Sequence, residues 1–369
     1  MRTGLRGAAA LRLRRNAGHV WRECVRSTRM ILLLVLLLSD WKCLTGSVRA
    51  DDQLHSGSSF AAHDTLACGS DGSADARQCL EGLSWSPCEF SVICEDAVAE
   101  TGDWLVRFPS PLPPGDAVND RVAMEWYAVR SPDRSMISAP AVVVVHESGR
   151  GMTVGRIIAK GLRAQGFHAF LLHLPGYGAR RVARETPIEQ MLPALRQAIA
   201  DVRRARDAVA ALPSVEDSLI GLQGTSLGGF VTATVAGLDH GYDRVFILLA
   251  GGNLHEVILK GARDAAGIRR KLESAGVTEQ QIIDLARPIE PLRLAHRIDP
   301  RRTWLFSGTH DDVVPPASSL AFVQSARLPS GHHIELPADH YSGVVFLPVV
   351  LQHMQRLMTE PLSDPVPAP

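Results

Sequence analysis

Gly224-Thr225-Ser226-Leu227-Gly228-Gly229 sets a serine between glycines two residues away on either side. The pattern G-x-S-x-G, lying between a predicted strand and a predicted helix, is a sharp turn that exposes a nucleophilic hydroxyl. Small flanking residues leave room for the strained backbone, and the helix N-terminus behind it favours developing negative charge. The plainer role for Ser226 is a helix N-cap, and the strand-turn-helix context favours the nucleophile. A serine hydroxyl needs a base, and the base needs an orienting acid. Two later strand ends offer them. The strand expected over 302–307 runs into Gly308-Thr-His-Asp311-Asp312-Val-Val-Pro315, with Asp311 as the acid and Asp312 as its rival. The strand expected over 333–336 leads to Pro337-Ala-Asp-His340, which makes His340 the candidate base. His332 and His333 sit at the start of that strand and read as structural. His310, Asp312 and these histidines show no recognisable metal-ligand spacing. Together the three chosen side chains could carry out acyl transfer.

Acyl transfer also needs two fixed N–H donors for the tetrahedral oxyanion, worth roughly 3 kcal/mol each. One is the amide of Leu227. The other is expected in His146-Glu147-Ser148-Gly149-Arg150-Gly151, with Ser148 the best candidate. Glu147 is either a partner of the catalytic serine or a surface carboxylate. Gly149 would let the backbone approach substrate, or simply make a turn. Beyond it, 176–185 carries Arg180, Arg181 and Arg184, which either clamp an anionic substrate or solvate a loop. Glu147, Gly149 and Arg180 are the candidates for touching substrate.

These residues need a frame. The run AVVVVH over 141–146 is a strand buried on both faces, and 168–174, 218–224 and 244–250 read as further strands. Helices are predicted over 154–165, 187–212 (with an arginine-rich face), 227–238, 316–326 and 341–358. Strands alternating with helices give the α/β class, a mostly parallel sheet with helices on both faces. Ligands bind such sheets at the carboxyl ends of the strands, where Ser226, Asp311 and His340 fall. Residues 252–300 form an insertion with helical patterns over 254–264 and 278–286. Residues 51–114 are read as a Cys-containing segment, irregular over 51–100 and followed by the Pro-punctuated linker at Pro109, Pro111, Pro113 and Pro114. The main domain is placed at 115–360, with a disordered Pro-rich tail over 361–369.

Of the 369 residues, 46% are hydrophobic, as in a globular protein. Ten of the 39 Lys and Arg and two of the 39 Asp and Glu lie in residues 1–50, leaving 29 basic and 37 acidic residues in the rest. That mildly acidic body offers no basic field for nucleic acid. The basic stretch, the apolar run Met30–Leu38 and Val48-Arg49-Ala50 make a secretory signal expected to be cleaved after Ala50. Nine apolar residues fall short of the ~20 needed to cross a bilayer, so a membrane is a partner only if this segment stays uncleaved as an anchor. An exported location, periplasmic or extracellular, is therefore expected. Cys68, Cys79, Cys88 and Cys94 cluster within 27 residues, which in an exported chain predicts two disulfides of undetermined pairing.

From about residue 120 to 358 the chain resembles the α/β-hydrolase superfamily. The resemblance rests on the loop after the buried strand, Leu174-Pro-Gly-Tyr-Gly178, Gly224-Thr-Ser-Leu-Gly228, Gly308-Thr-His-Asp311 and His340. The stretch VVVVHESGRG is similar to the His/Gln-Glu-x-x-Gly loop of dienelactone-hydrolase-like members, in which the nucleophile is typically Cys rather than Ser. The resemblance implies a serine esterase acting on a small-molecule carboxylic ester through an acyl-enzyme, without a cofactor, and the leader adds the expectation of export. It also implies that the 252–300 insertion acts as a lid or cap. Two other functions fit the same motifs: a prolyl-oligopeptidase-like peptidase and a catalytically silent binding scaffold.

Overall fold

The computed structural model describes residues 54–98, 101–182 and 190–362. The expected leader, Arg184 and the tail from 363 lie outside the described residues. Among those residues ten strands form one sheet: β1 (Ser59–His63), β2 (Glu89–Asp96), β3 (Trp104–Pro109), β4 (Arg121–Tyr127), β5 (Ala139–Val145), β6 (His168–His173), β7 (Val215–Thr225), β8 (Arg244–Leu248), β9 (Thr303–Gly308) and β10 (His333–Leu336). Their spatial order is β1-β2-β3-β4-β6-β5-β7-β8-β9-β10. From β6 to β10 all neighbours are parallel, while β1 to β4 run antiparallel and β4 joins β6 antiparallel.

Why the sheet is two-sided is visible in β5. Ala141, Val143 and Val145 enter one apolar layer, and Val142 and Val144 the other. Because successive side chains point to opposite faces, a run without polar residues needs cover on both. On the first face lie α1 (Ala74–Glu81), α3 (Met191–Ala210), α4 (Leu227–Asp239) and α8 (Pro316–Ser325), contributing Leu80, Val202, Val231 and Phe322. The second face is covered by α2 (Thr153–Ala164) and α9 (Leu347–Thr359), through Ile158, Leu162, Leu351 and Met354. The insertion after β8 holds α5 (Leu254–Lys260), α6 (Arg263–Ser274) and α7 (Glu279–Ala286), then 3-10 turns up to Arg302. Thr278 starts α7 with a capping box closed by Gln281. No helix among the described residues is long and apolar enough to cross a membrane.

The structure departs from two expectations in the N-terminal segment. Instead of an irregular appendage, it supplies β1, α1, β2 and β3, which continue the same sheet. Nor is it stapled, because all four cysteines carry free thiols. Cys79 and Cys94 pack in the apolar layer, where burial pushes their thiols up to about 11 and about 12, as for small apolar side chains. Arginines of α3 hold the segment instead. Arg204 Nε donates to Asp64 Oδ1 at 2.8 Å, and its Nη1 to the Pro109 carbonyl at 3.1 Å. Arg203 binds Asp239 at 2.7 Å, Asp207 at 3.0 Å and the Thr65 hydroxyl at 3.0 Å. Both guanidinium groups are buried, so the arginine-rich side of this helix is an interior ion-pair seam.

Candidate active site

Ser226 ends β7 and begins α4 with φ 53° and ψ −115°, a conformation that costs a non-glycine residue about 1–3 kcal/mol. Close packing enforces it. A Cβ on Gly224 would lie 2.2 Å from the Gly228 carbonyl oxygen and from Thr232 Oγ1, and one on Gly228 would lie 2.3 Å from the Val145 carbonyl oxygen. The Ser226 amide donates to the Leu248 carbonyl at 2.9 Å, which ties the turn to β8.

Asp311, just beyond β9, and His340, just beyond β10, meet Ser226. Ser226 Oγ is 2.9 Å from His340 Nε2, and His340 Nδ1 is 2.7 Å from Asp311 Oδ2. The carboxylate only accepts, so Nδ1 carries the hydrogen and Nε2 is free to accept from the serine. Asp311 Oδ1 accepts the amides of Val313 and Val314 at 2.9 and 2.8 Å, which fixes the plane of the carboxylate. Asp312 points elsewhere. Its side chain is 44% exposed and pairs with Arg263 at 3.3 Å. The His340 loop is shaped by its own sequence. Asp339 Oδ1 accepts the amides of Tyr341 and Ser342 at 3.0 and 2.7 Å, and Ser342 Oγ accepts the Asp339 amide at 2.9 Å. This turn delays the last helix to Leu347, six residues after its expected start.

Of the oxyanion candidates, Leu227 stands at the first position of α4, where an amide has no partner within its own helix. Ser148 lies in the loop between β5 and α2, its carbonyl accepting the Tyr177 hydroxyl at 3.1 Å. Gly149 is exposed in the same loop, and its carbonyl accepts the Met152 amide at 2.9 Å.

Two expected substrate contacts are structural. Glu147 is neither a partner of Ser226 nor a free surface carboxylate. Its two oxygens accept the amides of Val154 and Gly155, 3.1 Å each, and so cap α2. Arg180 neither clamps an anion nor solvates a loop. It is buried, with Nη1 2.8 Å from Asp201 Oδ2 and 3.1 Å from the His173 carbonyl, and it also donates to the Asn119 carbonyl.

Sequence reasoning missed Tyr177 and Arg263. Tyr177 falls inside a quoted strand-end loop and could have been found as an aromatic residue facing the Ser148 loop. Nothing in the spacing marks Arg263, which opens α6 and lies 4.9 Å from the ring of Tyr341, next to His340. Through it and the Ala262 amide, which donates to the Asp312 carbonyl at 2.7 Å, the insertion touches the loops on which Asp311 and His340 stand. Among the described residues no group of three or more His, Cys, Asp or Glu side chains is arranged to hold a metal ion.

Comparison with family models gives no match, and no curated protein matches either. Among solved structures the chain is similar to acetyl xylan esterase 1 from a Thermoanaerobacterium species, at 16% identity over 80% of this chain and 96% of that one, with a TM-score of 0.54. It is also similar to an acetyl xylan esterase from a Paenibacillus species, at 16% identity over 77% and 91%, TM-score 0.54. A third is the acylaminoacyl peptidase of Pyrococcus horikoshii, at 10% identity over 74% of this chain and 49% of that one, TM-score 0.53. At these identities the likeness shows the fold alone, a mostly parallel sheet covered by helices that the chain shares with these three structures.

Proposed function

We propose that the protein is a serine hydrolase that cleaves small carboxylic esters through an acyl-enzyme on Ser226. The observation that carries this reading is the continuous pair of contacts from Ser226 Oγ to His340 (2.9 Å) and on to Asp311 (2.7 Å), set on a strained strand-to-helix turn. His340 takes the serine proton as Oγ attacks the ester carbonyl, then returns it to the departing alcohol. Asp311 keeps the imidazole in the required tautomer and stabilises its charged form. The amides of Leu227 and Ser148 receive the oxyanion. Water then attacks the acyl-enzyme by the same route in reverse, with no cofactor needed. The insertion, which reaches the acid and base loops through Arg263, serves as a cap over the site.

Purified protein and its Ser226→Ala variant, assayed on p-nitrophenyl esters from acetyl to decanoyl, test the reading. Expected is turnover in the wild type and a fall of about 10³-fold or more in the variant. Equal background rates in both would remove the esterase. Export by residues 1–50 is part of the same proposal. N-terminal sequencing of the mature protein is expected to begin at Asp51, and a start within the leader would count against it.

A further inference from the structure

Both oxyanion candidates trace back to one buried residue that the proposed reaction does not use. His146 follows β5, is fully buried, and has its ring 4.6 Å from that of Tyr177, tilted by 56°. Its backbone carbonyl accepts the Gly228 amide at 3.1 Å, the amide immediately after that of Leu227. On the ring, Nε2 accepts the Leu174 amide at 3.1 Å. Nε2 is therefore unprotonated, and Nδ1 carries the hydrogen. Nδ1–H donates to the Glu147 carbonyl at 2.6 Å.

That last bond has a geometric consequence for Ser148. The 147–148 peptide is trans, so the Ser148 N–H points opposite to the Glu147 C=O. Drawing the carbonyl towards His146 turns the Ser148 N–H away from the buried ring. A peptide rotated the other way would offer an oxygen lone pair where the oxyanion needs a donor. Neighbouring bonds do not set this plane. Tyr177 holds the Ser148 carbonyl, which belongs to the next peptide, and the Glu147 side chain holds α2. The Tyr177 loop has its own anchor in Asn119 Oδ1, which accepts the Gly176 amide at 2.9 Å.

We propose that His146 is the positioning residue of the oxyanion hole, its carbonyl placing the Leu227 donor through Gly228 and its Nδ1–H orienting the Ser148 donor. Both amides are thereby referred to one side chain and one strand end. Burial, which pushes this imidazole down to about 3, supports a ring that stays neutral and keeps its single tautomer. The proposal rests on the serine-hydrolase reading.

Two substitutions separate the halves of the ring. Asn brings an amide nitrogen to the position of Nδ1, and Gln brings its head group to the position of Nε2. Full-length His146→Gln is expected to lose about 10²–10³-fold in kcat, the size of a lost oxyanion donor, with KM within about threefold. Full-length His146→Asn is expected to stay within about tenfold of wild type. A His146→Gln variant with wild-type kcat, a loss confined to KM, or an Asn variant as impaired as the Gln variant would overturn the role. A general structural role would lower both variants alike. ¹⁵N NMR of the wild-type imidazoles decides the matter even if a variant fails to fold, since an Nε2–H tautomer at His146 overturns the proposal. A wild type that turns over no ester removes the hydrolase reading and the oxyanion role with it. An Nδ1–H tautomer in that case places the failure in the reading and not in the His146 geometry.

Discussion

Asp311 and Asp312 are adjacent in sequence, equal in chemistry and opposite in circumstance. Asp311 has one oxygen on His340 and the other on two backbone amides, so its orientation is set before any substrate arrives. Asp312 is half exposed and faces Arg263, the kind of surface pair that contributes about 0–1 kcal/mol. Removing the charge at each position should therefore give very different results. Asp311→Asn is expected to lower kcat by about 10⁴, because an amide in that place presents the wrong hydrogen to Nδ1 and favours the wrong tautomer. Asp312→Asn is expected to remain within a few-fold of wild type. Steady-state kinetics on the best p-nitrophenyl ester of the panel decides between them, and a comparable loss in both variants would mean that the acid works through the loop and not through its contact with His340. Sequence favours Asp311 by its place at this strand end but leaves Asp312 as a rival, because the choice depends on which side chain turns inward.

Among the elements, those legible in the sequence were the ones whose evidence is local. β5 announces itself by an unbroken β-branched run, and the turn at Ser226 by glycines that the structure shows to be sterically required. The strands of the N-terminal segment were not legible. β2 reads Glu-Phe-Ser-Val-Ile-Cys-Glu-Asp, an alternation visible only once it is known which face is covered. Its cysteines suggested bridges, whereas the attachment lies in Arg203 and Arg204, more than a hundred residues away in the chain. Arg180 looked available for the same reason, being engaged by Asn119 and Asp201, whereas Glu147 is taken up close by, by the amides that open α2. Two measurements follow for this element. Thermal unfolding with and without dithiothreitol should give the same Tm, whereas reduction of a bridge would cost about 2–4 kcal/mol and lower it visibly. Asp64→Ala should destabilise the protein by about 3–5 kcal/mol, since it leaves the Arg204 guanidinium buried without its carboxylate. A Tm that falls on reduction, together with a silent Asp64 variant, would return the attachment to disulfides.

For the whole molecule, the interior is committed to neutral imidazole in a way that sets its tolerance of acid. His168 is as buried as His146. Its Nδ1 accepts from Trp126 Nε1 at 3.2 Å and from the Val129 amide at 3.1 Å, while Nε2–H donates to the Ile137 carbonyl at 2.9 Å. Every position on the ring is used by the neutral form, and a proton on Nδ1 would break two bonds. Burial pushes His168 down to about 4 and His146 to about 3. Both folded values lie below the ordinary value of about 6.5, so between the two the unfolded chain binds protons that the folded one refuses. The stability they contribute is complete above about pH 6.5 and is lost as pH falls, at roughly 1.4 kcal/mol per pH unit for each ring. Glu125 acts in a separate window. Although burial alone would raise it, hydrogen bonds from His173, Arg156 and Tyr127 hold it at about 2, so its contribution is lost only below about pH 4.5. Denaturant midpoints should therefore begin to fall between pH 6.5 and 5, before most carboxylates titrate, by an amount of order 2 kcal/mol per histidine at pH 5. His168→Gln should be less stable at pH 7 and lose less on acidification, its slope between pH 6.5 and 5 smaller by about one proton. A variant slope equal to that of the wild type would mean that the folded protein admits the proton at His168 and that its acid sensitivity arises elsewhere.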